Sequence, residues 1–465
     1  MHDYRRIADL VAADIASGRL RPGDRLPPQR AFARRRGIAA STAGRVYAEL
    51  VRRGLVVGEV GRGTFVRAAV PSSGRALAEP ATAAPVNLEL NYPVVEGQSK
   101  LLGDALAPML RPDVLAEATR TAPATGTTQA REAVAGLLAR QNERGTWRPA
   151  PEQVMFTGNT RQAIAGAFAS LSRPGGRIGV EALTYPLVKE IAERLSITLV
   201  PLASDAEGIL PAALETAHGS APLSALYVQP TLHNPTSVTT TGRRRRELAD
   251  CVRCLGLPVV EDRIWSFLHE DAPPPLAAYA PERTYVVDGL SKRVAPGLTI
   301  GFLVVPVPGD TPVAAVDGTE GGGRIAATLR SGGWTASRFA LEAAVRWIDD
   351  GTVDRLVAAK RSDAAQRQRL VAEHLDGFVV RTDPHGYYAW WELPAPWRAD
   401  TFTAAAAERG IAITPGPAFA VGAHTAADAV RLGLASAPPT ALAAALRMLA
   451  AVARTKQTVR KAATD

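Results

Sequence analysis

Lys292, within "DGLSKRVAPGLTIGF" (residues 288–302), is one of only six lysines in a chain whose other positive charge is carried by arginine. A lysine can lose its proton and attack a carbonyl, which an arginine cannot. Residues suited to surround such a nucleophile stand at the ends of short apolar runs. "VMFTGNTRQAI" places Gly158, Asn159 and Thr160 where a strand gives way to a helix, and main-chain N–H groups at a helix start form an anion site. "EALTYP" puts Tyr185 at another strand exit, an aromatic face able to stack on a ring. "QPTLHNPTS" holds Asn234 before a proline in a fixed turn. "LPVVEDRIW" delivers Asp262 from an apolar strand, where a carboxylate needs a partner. Each residue alone is more often structural. In this chain order they supply a phosphate site, a stacking ring, a donor to a phenolate, a carboxylate for a pyridine nitrogen and a lysine for an aldehyde. Those are the requirements of pyridoxal 5′-phosphate.

The elements that carry these residues read as an α/β domain. "EQVMFTG", "GRIGVEA", "ITLVPL", "ALYVQP", "LPVVED", "TYVVDG" and "IGFLVVP" are short apolar strands, several separated by helical stretches such as "NTRQAIAGAFASL". That alternation predicts a largely parallel sheet covered on both faces, with ligands beyond the carboxyl ends of its strands.

The first 68 residues differ in composition. They hold fourteen arginines against six acids, a net charge of +8 in a chain of net +9. Charge concentrated in so small a segment suits a polyanion. Ile7, Leu10, Val11 and Ile15 predict one apolar helix face. Pro28 and Gly37 bracket a second helix. "STAGRVYAELVRRG" predicts a third, opened by a Ser/Thr cap, and "LVVGEVGRGTFVR" a glycine-tipped hairpin. Three short helices and a hairpin make a winged helix-turn-helix. Ser41, Thr42 and Arg45 are then the base-reading candidates, with Arg30 and Arg62 on the DNA backbone. Residues 69–86, rich in Ala, Pro, Ser and Gly, read as a flexible linker between this domain (1–68) and the large one (87–465).

No apolar run is long enough for a membrane span and no signal-peptide pattern opens the chain, so a cytoplasmic location is expected. The two cysteines form a lone CxxC, Cys251 and Cys254, with no second pair to complete a zinc site. They read as two half-buried residues on one helix face, and no metal is expected.

"GRLRPGDRLPPQRAFA" and "GRGTFV" resemble the GntR-type DNA-binding domain, with Ala39-Ala40 where that family often has Ser-Arg. Residues from about 87 to 452 resemble a fold-type I aminotransferase, and the fused chain resembles the MocR subfamily of bacterial transcriptional regulators. The resemblance implies pyridoxal 5′-phosphate bound as an aldimine to Lys292. Asn234 of "HNPTS" would donate to the phenolate oxygen, and Asp262 of "VEDRIW" would hold the pyridinium proton. Arg431 of "DAVRLGLA" would bind an effector or substrate carboxylate. It further implies a homodimer with sites at the subunit interface and the DNA-binding domain of one subunit near the large domain of the other. The chain departs from the family pattern at Ser237 (for Gly), Trp265 (for Tyr), Gly289 (for Ser), Thr299 (for the phosphate-binding Arg) and Thr121 (for a Tyr reaching the partner's phosphate), with Arg293 or Thr160 as candidate replacements. The altered phosphate grip and Trp265 argue against efficient turnover. The expected function is therefore a DNA-binding regulator that senses an amino acid, an amine or the cofactor itself. The alternatives are a working aminotransferase with a DNA-binding appendage, and a large domain that only dimerises.

Overall fold

A computed structural model of the chain describes residues 4–16, 19–20, 24–52, 55–59, 63–66, 84–141, 147–306, 321–422 and 428–455. The expected linker lies outside the described residues up to position 83, as does Arg62.

The N-terminal part folds as α1 (Tyr4–Ala16), β1 (Arg25–Leu26), α2 (Gln29–Arg36), α3 (Ala40–Arg52), β2 (Val56–Glu59) and β3 (Gly63–Val66). Pro28 caps α2. Gly37, at φ +62°, closes it in the left-handed region that favours glycine. The strands form an antiparallel sheet in the order β1-β3-β2, so a two-residue edge strand in "DRLP" joins the expected hairpin. Two local expectations are corrected. Leu10 is 50% exposed, and Ala8 takes its place beside Val11 in the core. α3 begins at Ala40, before Ser41 and Thr42, and its first turn is closed by the Ala39 carbonyl accepting from the Thr42 and Ala43 N–H groups. Ser41 and Thr42 are thus side chains of the helix itself and not its cap.

All seven apolar runs become strands of one sheet: β4 (Val154–Thr157), β5 (Arg177–Glu181), β6 (Thr198–Leu202), β7 (Ala225–Val228), β8 (Val259–Asp262), β9 (Thr284–Gly289) and β10 (Gly301–Val304). Their order is β4-β10-β9-β8-β7-β5-β6. β5 to β9 pair in parallel, while β10 runs antiparallel to both β9 and β4. β4, β7, β8, β9 and β10 are buried throughout, which is why their sequences read as unbroken apolar runs. Helix α4 (Thr160–Leu171) follows β4 and packs on the sheet. The 23-residue helix α5 (Thr352–His374) leads to a second, antiparallel sheet. That sheet comprises β11 (Val379–Thr382), β12 (Tyr388–Glu392), β13 (Thr414–Pro415) and β14 (Ala429–Gly433), in the order β11-β12-β14-β13. The helix Gly242–Cys254 carries both cysteines, but only Cys251 is buried. Cys254, the helix's last residue, is exposed, which corrects the expected shared face.

Candidate functional site

Five strands of the main sheet, β4, β5, β7, β8 and β9, end at one cleft, which is lined by Asn159, Thr160, Tyr185, Asn234, Asp262, Trp265 and Lys292. This is where an α/β sheet places its ligands. The opposite wall comes from the chain segment Glu89 to Tyr92 and from Arg431 on β14.

Lys292 sits in the tight turn after β9. Its Nζ donates to the Asn91 carbonyl at 2.7 Å and lies 4.1 Å from the Tyr92 ring centroid and 5.0 Å from that of Trp265. Burial, with the positive charges of Arg431, Arg161 and Lys360, pushes this amine down to about 7. A substantial fraction is then uncharged at neutral pH, the form that attacks a carbonyl. The turn itself is held by Lys360 of α5, whose ammonium donates to the Lys292, Arg293 and Val294 carbonyls at 2.9, 2.9 and 2.8 Å. All three of its donors are used in that one task, 68 residues along the chain from Lys292.

These charges set an expected pH dependence. Attachment of an aldehyde to Lys292 should quicken as pH rises through about 7 and then level off. One unit below that value the rate should be about a tenth of the plateau. Lys360→Met removes a positive neighbour, so it makes the protonated amine less costly and should move the midpoint to higher pH. Stopped-flow absorbance across pH reads both effects, and an unmoved midpoint would leave Lys360 with a purely mechanical role.

Asp262 ends β8, 2% exposed, and accepts from the Tyr227 hydroxyl at 2.8 Å and the Ile264 N–H at 3.0 Å. Burial pushes its carboxyl up to about 6. A cationic ring N–H would reverse that direction by giving the carboxylate a charge partner. Asn234 is held by its own N–H on the Gln229 side chain at 2.7 Å, and its side-chain oxygen has no partner. Ser237, where the family has glycine, adopts φ +60° and is buried, and its hydroxyl donates to the Tyr388 carbonyl at 3.1 Å. A left-handed non-glycine residue costs on the order of 1 kcal/mol, which that hydrogen bond offsets.

The phosphate end differs from the expected one. Gly158 does not line the cleft, and its N–H is used by the Trp334 carbonyl at 3.1 Å. The Asn159 side chain caps α4 by accepting from the Gln162 N–H at 3.1 Å. The Thr160 and Arg161 N–H groups remain open at the helix start. The Thr160 hydroxyl is buried and unpartnered, and a Cβ on residue 289 would collide with it. Thr160 therefore fills the space of the family's serine, and Gly289 is the residue that lets it. Arg293 cannot replace the missing arginine. It is fully buried in a pair with Asp288, at 2.5 and 2.8 Å, and it also donates to the Gly289 carbonyl and to Gln141. Thr299 lines the cleft, while Thr121 is exposed and does not. The cationic side chain at this end is Arg161, second residue of α4, which the sequence reading passed over. Its place one residue after Thr160 was the available signal.

Arg431 is 3% exposed on β14. One terminal nitrogen donates to the Glu89 carbonyl at 2.5 Å and to the Thr414 hydroxyl at 3.1 Å, and its Nε has no partner. Burial lowers this guanidinium to about 10, so it is still charged at neutral pH. A guanidinium held in this way on a cleft wall is chemically suited to a carboxylate.

A separate cluster, His269, Asp383 and His385, has its candidate ligand atoms within 4.8 Å of one another. The two imidazoles stack at 4.2 Å with planes 21° apart, so their in-plane lone pairs run side by side and do not converge on one ion. In the N-terminal part, Arg30 of α2 and Ser41 and Arg45 of α3 are exposed, and Thr42 is half-buried.

A family model described as aminotransferase class I and II matches residues 91–449. The chain belongs to that family. A second model, of the bacterial regulatory proteins of the gntR family, matches residues 3–66. Among curated relatives, the HTH-type transcriptional regulator YdeF of Bacillus subtilis is 29% identical over 94% of this chain and 91% of its own length. The regulator TauR of Rhodobacter capsulatus is 25% identical over 97% and 96%. The pyridoxine biosynthesis regulator PdxR of Corynebacterium glutamicum is 27% identical over 68% and 69%. Among solved structures, an archaeal alanine:glyoxylate aminotransferase matches with TM-score 0.70 at 19% identity, over 79% of this chain and 90% of that one. The α-aminoadipate aminotransferase LysN of Thermus thermophilus gives 0.68 at 22%, over 79% and 92%. At these identities the likeness shows the fold. A GntR-type helix-turn-helix joined to an aminotransferase-like domain of fold type I makes this chain a DNA-binding transcriptional regulator of the MocR type. Its family's cofactor is pyridoxal 5′-phosphate, and the donors left without partners along the cleft, the Thr160 hydroxyl and the Arg431 Nε, fit such a group. Among the described residues no helix is long and apolar enough to cross a membrane.

Proposed function

We propose that the cleft holds pyridoxal 5′-phosphate on Lys292 and that this regulator senses a small molecule carrying both an amine and a carboxylate. The observation that carries the reading is the gathering of Lys292, Asp262, Asn234, Tyr185 and Arg431 around one cleft, from positions up to 246 residues apart in the chain. Bound there, the cofactor supplies an aldehyde that condenses with primary amines. Asp262 would hold the ring nitrogen's proton, Asn234 would donate to the ring oxygen, and Tyr185 and Trp265 would flank the ring. The open N–H groups of Thr160 and Arg161, the Thr160 hydroxyl and the Arg161 guanidinium would hold the phosphate, in place of the family residues lost at Gly289 and Thr299. An amine entering the cleft competes with Lys292, while Arg431 takes its carboxylate. The domains extend over residues 1–68 and 87–465, with a linker at 69–86 that lets them respond to each other. Domains of this fold commonly dimerise, and this chain would act as a homodimer. Borohydride reduction of the cofactor-loaded protein, followed by peptide mapping, tests the assignment. Label on the Lys292 peptide is expected, and label on another lysine, or on none, would remove it.

On the DNA side, Arg30 would sit on the phosphate backbone with Arg62, while Ser41, Thr42 and Arg45 would face base edges. Arg30→Ala should weaken all duplexes alike and lower the slope of log affinity against log salt by about 0.9. Arg45→Ala should change the preference between operators by about 1–3 kcal/mol. Fluorescence anisotropy over a salt series reads both, and a uniform loss with Arg45→Ala would move that residue to the backbone.

A further inference from the structure

Glu89 stands on the same wall of the cleft as Arg431. It is only 8% exposed, yet its carboxylate has no hydrogen bond or ion pair among the described residues. Arg431 does not neutralise it, because that guanidinium donates to the Glu89 main-chain carbonyl and to Thr414. The peptide leading into Glu89 is fixed through both of its polar groups. The Glu89 N–H donates to the Asn87 side chain at 2.9 Å, and the neighbouring Leu88 carbonyl accepts from Gly433 at the end of β14 at 2.7 Å. The carboxylate of this cleft-lining residue has no partner among the described residues. Burial raises its pKa, and the Arg431 charge offsets this only in part. A carboxylate in so enclosed a place, with no partner of its own, favours a cation that meets it.

The cleft's charges can be paired one by one. Asp262 has a ring nitrogen to hold, Arg161 a phosphate and Arg431 a carboxylate, which leaves Glu89 over. We infer that the effector carries a second amine, and that Glu89 selects a diamino acid over a monoamino acid of the same length. One amine of such a molecule engages the Lys292 position, its carboxylate docks on Arg431, and its other ammonium meets Glu89. This inference rests on the amine-and-carboxylate reading proposed above and narrows its ligand class.

The comparison that isolates the second ammonium is ornithine against norvaline, which differ only by that group. Titrated into the cofactor-loaded full chain and followed by the cofactor's visible spectrum, ornithine is expected to bind at least about tenfold more tightly, the scale of a desolvated charge-assisted contact. Glu89→Gln keeps the size of the side chain and removes its charge, so the ornithine-to-norvaline ratio should fall towards one. Arg431→Ala should weaken both ligands. If Glu89→Gln leaves the ratio where it was, or if norvaline binds the unmodified protein as tightly as ornithine, the selectivity role is wrong while the cofactor reading stands. If neither amino acid nor any other amine changes the spectrum of the loaded protein, the cofactor reading itself fails as an amine sensor, and this inference falls with it.

Discussion

Lys292→Ala should abolish covalent attachment of pyridoxal 5′-phosphate, and with it any absorption from a protein-bound imine, at every cofactor concentration. Lys100, Lys189 and Lys360, the other lysines among the described residues, do not line the cleft. Lys360 gives all its donors to the turn carbonyls, and Lys189 donates to the Ala418 and Ala420 carbonyls. None can substitute. DNA affinity without effector should stay within about twofold, since the GntR-type domain matched at residues 3–66, which would carry the DNA contacts, does not include Lys292. The response of DNA affinity to amines should vanish. Absorbance titration and anisotropy on one preparation separate the two. Retained attachment in Lys292→Ala would place the reactive lysine elsewhere.

Arg293→Ala should be among the most destabilising single changes in the large domain, by about 3–5 kcal/mol, because it strands the Asp288 carboxylate with neither residue exposed. It also removes the Arg293 donors to the Gly289 carbonyl and to Gln141. The apolar pair Arg293→Met with Asp288→Leu should recover much of that loss, since replacing both charges leaves no buried ion behind. Urea denaturation of the three proteins checks the order. If the single change cost under about 1 kcal/mol, the pair would not be holding the turn that carries Lys292.

The main sheet was legible because five of its strands are buried throughout and spell apolar runs, and because Asp262 and Lys292 stand at or just past the end of one. Asp262 after "VVE" and Lys292 after "TYVVDGLS" are read in that way. The second sheet was not. β11 is exposed or half-exposed along its length, so Val379–Thr382 shows no apolar pattern, and β13 is two residues long. Partners that depend on the direction of a side chain were also hidden. Arg293 is Lys292's neighbour in sequence, yet it turns into the core to meet Asp288, whereas Arg161 reaches the cleft from the start of a helix. Lys360 and Glu89 lie 68 residues after Lys292 and more than 200 before it, and only the packing of α5 and of the segment beside β14 brings them to the site. In the N-terminal part the three helices, the Pro28 and Gly37 boundaries of α2 and the paired strands of the hairpin were readable. The start of α3 was not, because Ala40 has no side chain that signals a helix boundary.

Operator affinity of the cofactor-loaded protein, measured with and without the amino acids that change its visible spectrum, tests the central claim most directly. The account predicts a shift of about fivefold or more, the range of an ordinary coupling between two sites. It also predicts that the shift is lost in Arg431→Ala, while cofactor and DNA binding remain, and that keto acid forms slowly or not at all. Rapid keto acid formation with no change in operator affinity would contradict it and would make the large domain a working aminotransferase.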